Sequence, residues 1–162
     1  MITYRLFNSE DSYNLIQFYY KEFPNAYTDF PKWWIKKESS IGEYYSTVGK
    51  DNNTIFLALD NKKIVGVLPL AHQKDKFDNL IGVIGHFLVS DNYRSKGIGT
   101  HLFKQAIDYA ISKNYSSLTL LVFKKHSILV GFYLKQGFYT EIELLEPDLK
   151  LMLCVMVKKL NG

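Results

Sequence analysis

Cysteine is nearly absent from this chain. Among 162 residues there is one, Cys154, within the apolar run LKLMLCVMV. A single thiol forms no internal disulfide, and the lack of a Cys-x-x-Cys pair argues against a structural zinc site, so we expect no bound metal. The expected environment is a reducing compartment, and the expected state of Cys154 is a buried, inert thiol.

Long apolar runs and strong charge are also missing. No run approaches the length of a membrane span, and the first residues, MITYRLFNSED, have no signal-peptide core, so we expect a cytoplasmic protein with no membrane partner. The net charge of +4 is mild, and the lysines are scattered. This argues against a nucleic-acid partner and suits a small anionic ligand. The length and the hydrophobic fraction of 47% predict one domain over residues 1–162.

Aromatic residues, by contrast, are abundant at 15% of the chain. Seven of them crowd the first two predicted helices: Phe23, Tyr27, Phe30, Trp33, Trp34, Tyr44 and Tyr45. Four acids lie among them: Glu22, Asp29, Glu38 and Glu43. One interpretation is an aromatic pocket with a carboxylate for a cationic amine. The other is an aromatic core with solvated acids.

Periodicity and capping residues predict an α/β fold, in which a mixed β-sheet is flanked by helices. The predicted order is β-α-α-β-β-β-α-β-α-β-β. The helices are expected over 9–23, with Ser9 as its cap and Pro24 as its end, and over 31–45, 98–112 and 127–136. The strands are expected over 2–7, 54–60, 63–72, 80–89, 117–123, 138–145 and 149–159.

The most informative segment lies between the strand at 80–89 and the helix at 98–112. It consists of seven residues, Arg94, Ser95, Lys96, Gly97, Ile98, Gly99 and Thr100. Glycines let backbone N–H groups approach a ligand closely, and a helix start adds unpaired donors and a positive dipole end. Two cationic side chains stand beside these donors. The segment therefore predicts an anion site, with a diphosphate as the expected ligand.

Two familiar phosphate loops are excluded by spacing. After Gly99 come Thr100 and His101 instead of the Lys-Ser/Thr pair of a Walker loop, and Leu102 replaces the third glycine of a dinucleotide fingerprint. What remains is Arg-x-x-Gly-x-Gly between a strand and a helix. It resembles the pyrophosphate loop of the GNAT superfamily of N-acetyltransferases; in isolation, the same pattern also describes a tight strand–helix turn.

A second segment, 132–138 with the sequence FYLKQGF, is similar to the helix end of the same family, and the order of elements agrees over most of the chain. The resemblance implies that Phe87, Leu88 and Val89 lend backbone groups to the pantetheine arm. It implies that the amides of residues 94–100 hold the pyrophosphate and that Tyr133 protonates the leaving thiolate. Where many relatives carry a cofactor-contacting Asn, this chain has His126, which is either a contact or an exposed loop residue.

The resemblance implies an acetyl-CoA-dependent N-acetyltransferase that moves an acetyl group directly to a primary amine in a ternary complex. Such transfer needs a base, and His86 is the titratable side chain on the central strand; a satisfied core histidine is the alternative. Glu141 and Glu143 are further candidates. Two other functions stay open, a catalytically silent acyl-CoA-binding domain and a nucleotide-binding regulator. The long final strand could pair across a homodimer.

Overall fold

The computed structural model describes residues 1–160, apart from the side chains of residues 47–52. The chain divides into two compact units, one of residues 1–70 with 86–106 and the other of residues 71–85 with 107 onwards. No helix in this described part is both long enough and apolar enough to cross a membrane.

The first unit carries the strands β1 (Ile2–Leu6), β2 (Asn53–Asp60), most of β3 (Lys63–Lys74) and β5 (Leu88–Val89). Strand β2 lies between β1 and β3, and β5 pairs antiparallel with β3. The helices α1 (Ser12–Ala26), α2 (Lys32–Glu38) and α3 (Ile41–Asn52) belong to the same unit. Its core combines the apolar faces of α1 and of the strands, including Leu15, Tyr19, Leu57, Leu59, Val67 and Leu88.

The chain enters α1 through a short 3₁₀ turn, Ser9–Asp11, and the expected cap at Ser9 was wrong. The side chain of Asn8 accepts from the Glu10 amide, and Asp11 in turn accepts from the Asn8 amide at 2.9 Å. Asn8 caps because its oxygen reaches the free donors of this turn. Pro24 lies inside α1, so the prediction that it ends the helix was wrong, and α1 ends three residues later than expected. Proline removes one helical bond, and the N–H groups of the residues after it can still donate to the preceding turn.

Asp11 also binds Arg5 of β1 through both carboxylate oxygens, at 2.7 and 2.8 Å. We expect Asp11→Asn to lower the free energy of unfolding by about 2 kcal/mol, because it removes a bidentate pair and part of a capping box. The hydrogen bonds from Arg5 are the largest cause of the lowered pKa of Asp11. Stability from a lowered carboxyl pKa is present above the unfolded value and lost as pH falls. The difference between wild type and variant should therefore shrink below about pH 4.

Asp78→Asn is the matched control for urea unfolding. Asp78 pairs with Lys74 at 3.2 Å, but its side chain is 80% exposed. Exposed pairs contribute little, so this change should cost less than about 0.5 kcal/mol. Equal effects of the two substitutions would contradict a stabilising role for the Arg5–Asp11 pair.

The helix expected over 31–45 is two helices, α2 and α3. Ser39 Oγ donates to the Ile35 carbonyl at 2.6 Å, and Ser40 Oγ donates to the Lys37 carbonyl at 2.8 Å. Serine side chains compete with backbone amides for such carbonyls, which explains the break.

The strand expected over 80–89 is also two elements, β4 (Leu80–Ile84) and β5. Between them His86 adopts a left-handed φ of +47°, which an extended strand does not accommodate. β4 belongs to the second unit and β5 to the first.

The second unit is itself a mixed sheet with the strand order β4-β6-β8-β7. β4 and β6 (Ser117–Phe123) are parallel, and β8 (Leu151–Lys159) pairs antiparallel with both β6 and β7 (Tyr139–Glu146). Helix α4 (Ile98–Ser112) and strand β6 have the predicted bounds, and α5 (Ser127–Lys135) ends one residue early. Strand β8 has partner strands on both sides. The prediction that the final strand pairs across a dimer was therefore wrong.

Candidate active site

The predicted anion loop begins where β5 ends. A 3₁₀ turn, Asp91–Tyr93, follows β5, and α4 begins at Ile98. Ser95 and Gly97 have left-handed φ values of +61° and +82°. A Cβ built on Gly97 would meet nothing within 4 Å, so open space lies over this residue. The sequence placed this turn correctly, at the end of a strand and the start of a helix.

The amides of this loop are available to a ligand. The first helical bond of α4 runs from the His101 amide to the Gly97 carbonyl at 3.0 Å. Ile98, Gly99 and Thr100 therefore stand in the first turn, where a helix offers no carbonyl to its own N–H groups. Within residues 1–160, no backbone carbonyl accepts from the amides of residues 95–100. Together with the dipole of a 15-residue helix, they form a donor set suited to an anion.

Glycine at position 66 brings this helix start close to β3. A Cβ on Gly66 would lie 3.1 Å from side-chain atoms of both Ile98 and Leu102. Those two side chains are almost fully buried. The missing Cβ thus lets the first turns of α4 pack directly on the strand, which fixes the position of the loop.

The two cations predicted to face the anion have partners in the protein. Arg94 Nε donates to the Val89 carbonyl at 3.1 Å, and its Nη1 lies 3.0 Å from Asp91 Oδ1. Lys96 Nζ lies 5.3 Å from the centre of the Tyr93 ring. Arg94 therefore braces the turn, and Asp91 offsets part of its charge.

Strand β5 presents one amide away from its partner. Leu88 is paired with Val67, and the Ser90 amide donates to the Val65 carbonyl at 2.8 Å. Because amides alternate in direction along an antiparallel strand, the Val89 N–H points away from β3. Of the two residues of β5, Val89 is therefore the one whose N–H can face a ligand or an oxyanion. Phe87 packs edge-on against Phe103, with ring centres 4.9 Å apart.

Helix α1 holds this segment at both ends. The buried Tyr19 hydroxyl donates to the His86 carbonyl at 2.7 Å, and Glu22 Oε1 accepts from Ser90 Oγ at 2.9 Å. Glu22 Oε2 also lies 3.4 Å from the Asp91 amide. One interpretation of these acids was a carboxylate for an amine, and the other was solvated side chains. The Glu22 carboxylate is instead buried and bound to the turn after β5.

His86 has polar neighbours at both ring nitrogens. Nδ1 lies 2.7 Å from the Tyr45 hydroxyl, and Nε2 lies 3.6 Å from Glu38 Oε2. The interaction with the His86 ring is the largest cause of the lowered pKa of Glu38. Burial raises the pKa of Tyr45 well above its usual value. Glu38, Tyr45 and His86 were each candidates in the sequence analysis, but their contact was not predicted. They lie in two helices and in a break between two strands, and no local spacing relates these elements.

Aromatic residues of α1, of α2 and of the segment between them form one cluster. The ring of Trp34 lies 4.8–5.5 Å from those of Phe23, Tyr27 and Phe30. Trp33 and Tyr44 are about half exposed. Burial raises the pKa of Tyr27 to about 12, with Arg94 opposing and Glu38 adding to the shift.

Tyr133 lies in the second unit, two residues before the end of α5. The Gly137 amide donates to Leu134, and the Phe138 amide donates to Tyr133, at 3.0 and 3.1 Å. Gly137 has a φ of +95°, so the helix ends in a Schellman motif with glycine at the predicted position. The Tyr133 and Phe138 rings lie 6.3 Å apart, as that motif favours. Tyr133 is buried.

The other candidates of the second unit lie near the ends of α5 and β7. His126 precedes α5, and its carbonyl accepts from the Val130 amide at 3.1 Å. Its ring makes no cap to the helix. Glu143 pairs with Lys124 at 2.9 Å, and Glu141 is exposed. Glu143 is thus engaged in an exposed ion pair.

Solved structures share this fold over almost the whole chain. The PaiA N-acetyltransferase from Thermoplasma acidophilum, in complex with coenzyme A, is 20% identical over 98% of this chain and 99% of its own, with a TM-score of 0.78. Arabidopsis thaliana NAA60, in complex with acetyl-CoA, is 18% identical over 100% of both chains, with a TM-score of 0.78. The fold is therefore the mixed α/β fold of N-acetyltransferases, as predicted.

Sequence comparison identifies the family of this chain. An uncharacterized N-acetyltransferase of Methanocaldococcus jannaschii is 28% identical over 141 residues, which cover 84% of this chain and 60% of that protein. The chain thus spans less than two thirds of this relative's length. The model of the acetyltransferase (GNAT) family matches residues 12–138. The chain belongs to this family, which confirms the resemblance.

Proposed function

We propose that this protein transfers an acetyl group from acetyl-CoA to a primary amine, directly and within a ternary complex. The observation that carries the proposal is the set of amides in residues 95–100, which have no backbone acceptor in the described chain and open onto free space at Gly97. Such a set fits the pyrophosphate of CoA, with Arg94 bracing the turn and Lys96 beside it. On this proposal, Ser95, Ile98, Gly99 and Thr100 contribute backbone contacts.

The chemistry assigns one role to each remaining candidate. Phe87, Leu88 and Val89 would align the pantetheine arm by strand-like contacts, with the Val89 N–H donating to the oxyanion. His86 would take the proton of the amine, and the Tyr133 hydroxyl would protonate the thiolate that leaves. His126 is retained as a contact to the CoA arm.

Residues 1–162 are proposed to act as one catalytic domain, because the family match includes parts of both units. The acceptor is proposed to be a small or peptide amine, since the Glu38 carboxylate and the Tyr45 ring both lie near His86. A reducing compartment, the cytoplasm, is proposed from the single, buried thiol of Cys154.

Calorimetry with acetyl-CoA, CoA, ATP and NAD tests the binding half of the proposal. We expect saturable binding of acetyl-CoA and CoA, and much weaker binding of ATP and NAD, because the loop lacks both nucleotide fingerprints. Stronger binding of ATP than of CoA would favour the nucleotide-binding regulator instead.

The transfer half is tested by release of free CoA in the presence of primary amines. Amine-dependent release is expected at a rate well above the background hydrolysis of acetyl-CoA. CoA binding without release for any amine would favour the catalytically silent domain, which would act as a sensor or scaffold.

A further inference from the structure

The three side chains Glu38, His86 and Tyr45, hereafter the histidine cluster, lie outside the loop and belong to three separate elements. Glu38 ends α2, Tyr45 lies in α3, and His86 stands between β4 and β5. The left-handed φ of His86 is uncommon for a residue with a side chain, and such conformations persist where the surroundings impose them. Here the surroundings include the Tyr19 hydroxyl on its carbonyl and the two neighbours of its ring.

We propose that the histidine cluster is the acceptor's ammonium site, in which Glu38 binds the cation, His86 Nε2 takes its proton and Tyr45 positions the imidazole. This inference rests on the proposed acetyl transfer. It defines the acceptor class as a primary alkylamine that is cationic in solution and carries an apolar or aromatic body.

The gap between Glu38 and His86 fits a nitrogen that donates to both. At 3.6 Å, the Nε2–Oε2 separation is long for a direct hydrogen bond. An ammonium nitrogen about 2.9 Å from each atom spans this separation, at ordinary hydrogen-bond lengths. The side chains of His86 and Glu38 are 32% and 25% exposed, so a ligand can reach both.

Tyr45 serves both tautomers of the imidazole because a hydroxyl donates and accepts. Without an amine, Nε2–H points to Glu38 and the Tyr45 hydroxyl donates to Nδ1. With an ammonium bound, Nδ1–H donates to the Tyr45 oxygen and leaves Nε2 able to accept. Burial keeps Tyr45 protonated, and its distance to Nδ1 is 2.7 Å.

The step balances without another reactant. The ammonium R–NH₃⁺ gives one proton to Nε2 and becomes R–NH₂, and His86 becomes an imidazolium between the Glu38 carboxylate and the Tyr45 oxygen. The electron pair left on nitrogen forms the bond to the acetyl carbon, and the π pair of the carbonyl moves to its oxygen. When that pair returns, the C–S bond breaks and CoA leaves as a thiolate. The thiolate gains one proton and the new amide nitrogen loses one, so the products are the amide, CoA–SH and the proton held by His86. Glu38 remains an anion throughout, as its lowered pKa favours.

The body of the amine is expected to lie on the aromatic cluster. Trp34 precedes Glu38 by one helical turn, and residues four apart lie on the same helix face. The Tyr27 ring lies 5.3 Å from that of Trp34. An aromatic amine such as 2-phenylethylamine therefore combines the two features that this surface offers.

The test compares 2-phenylethylamine with its 2,2-difluoro analogue, whose amine is far less basic and largely neutral at pH 8. A neutral amine needs neither a cation site nor a base. We expect Glu38→Gln to lower kcat/KM about tenfold for 2-phenylethylamine, mainly through KM, and less than about threefold for the analogue. Tyr45→Phe, which keeps the ring, should show the same selectivity with a fall of about fivefold, mainly in kcat.

Glu10→Gln is the control, since Glu10 is an exposed acid in the 3₁₀ turn before α1, and it should leave both amines unaffected. Equal losses for the two amines in Glu38→Gln would overturn the inference, as would wild type that binds acetyl-CoA but does not acetylate 2-phenylethylamine. Failure to bind acetyl-CoA at all would instead remove the proposed function, so the two failures are distinguishable.

Discussion

Replacing Gly97 with aspartate is expected to weaken acetyl-CoA binding by about 100-fold. The substitution places a carboxylate over the amides of residues 95–100, in space that is open in the wild type. Two like unit charges about 5 Å apart, at an effective dielectric constant of about 20, repel by about 3 kcal/mol. That energy corresponds to roughly two orders of magnitude in a dissociation constant. Calorimetry with acetyl-CoA at two salt concentrations measures it, because such repulsion is screened by salt.

Gly97→Asn is the matched control. Both substitutions put a side chain of the same size on a residue with a φ of +82°, so both bear the same backbone strain. Asparagine tolerates this region comparatively well and adds no charge. We expect a loss of affinity of no more than about tenfold for Gly97→Asn. Equal affinities of the two variants, or of Gly97→Asp and wild type, would show that no phosphate lies at this turn.

Local pattern was sufficient for three features of the fold. Apolar residues at helical spacing predicted the bounds of α4, and a mainly apolar run predicted those of β6. Gly137 at the end of α5 was predicted because few other residues adopt its φ of +95°. Each of these features depends on residues that are neighbours in the chain.

The error over residues 80–89 and the missed side-chain contacts have a different cause. The break at His86 depends on two strands joining different partners, and the apolar run over 80–89 contains no sign of it. Likewise, the Tyr45 hydroxyl reaches His86 across 41 residues, and Glu22 reaches Ser90 across 68. Side-chain contacts at such separations depend on how the helices pack on the strands. Local sequence pattern does not reveal this packing.

The Tyr-x-x-x-Gly-Phe pattern itself has a structural explanation. In the Schellman motif, the Tyr133 carbonyl accepts from Phe138, Gly137 supplies the left-handed residue, and the two rings pack together. A catalytic role of Tyr133 therefore needs evidence on its hydroxyl, separate from its ring and backbone.

Tyr133→Phe separates these roles because phenylalanine keeps the ring that packs on Phe138 and removes only the hydroxyl. If this hydroxyl protonates the leaving thiolate, kcat for acetyl transfer should fall by about 100-fold, within the range for loss of a general acid. The dissociation constant for CoA and the midpoint of thermal unfolding should change little. The rate is measured as CoA release with the best amine found for wild type.

A leaving group that needs no acid provides the decisive control. An acetyl thioester of an analogue of CoA with a more acidic thiol departs readily as the thiolate, so Tyr133→Phe should cost it much less than it costs acetyl-CoA. Equal losses with both thioesters would assign Tyr133 to positioning rather than proton transfer. An unchanged kcat with acetyl-CoA would show that Tyr133 only packs at the end of α5 and has no catalytic role.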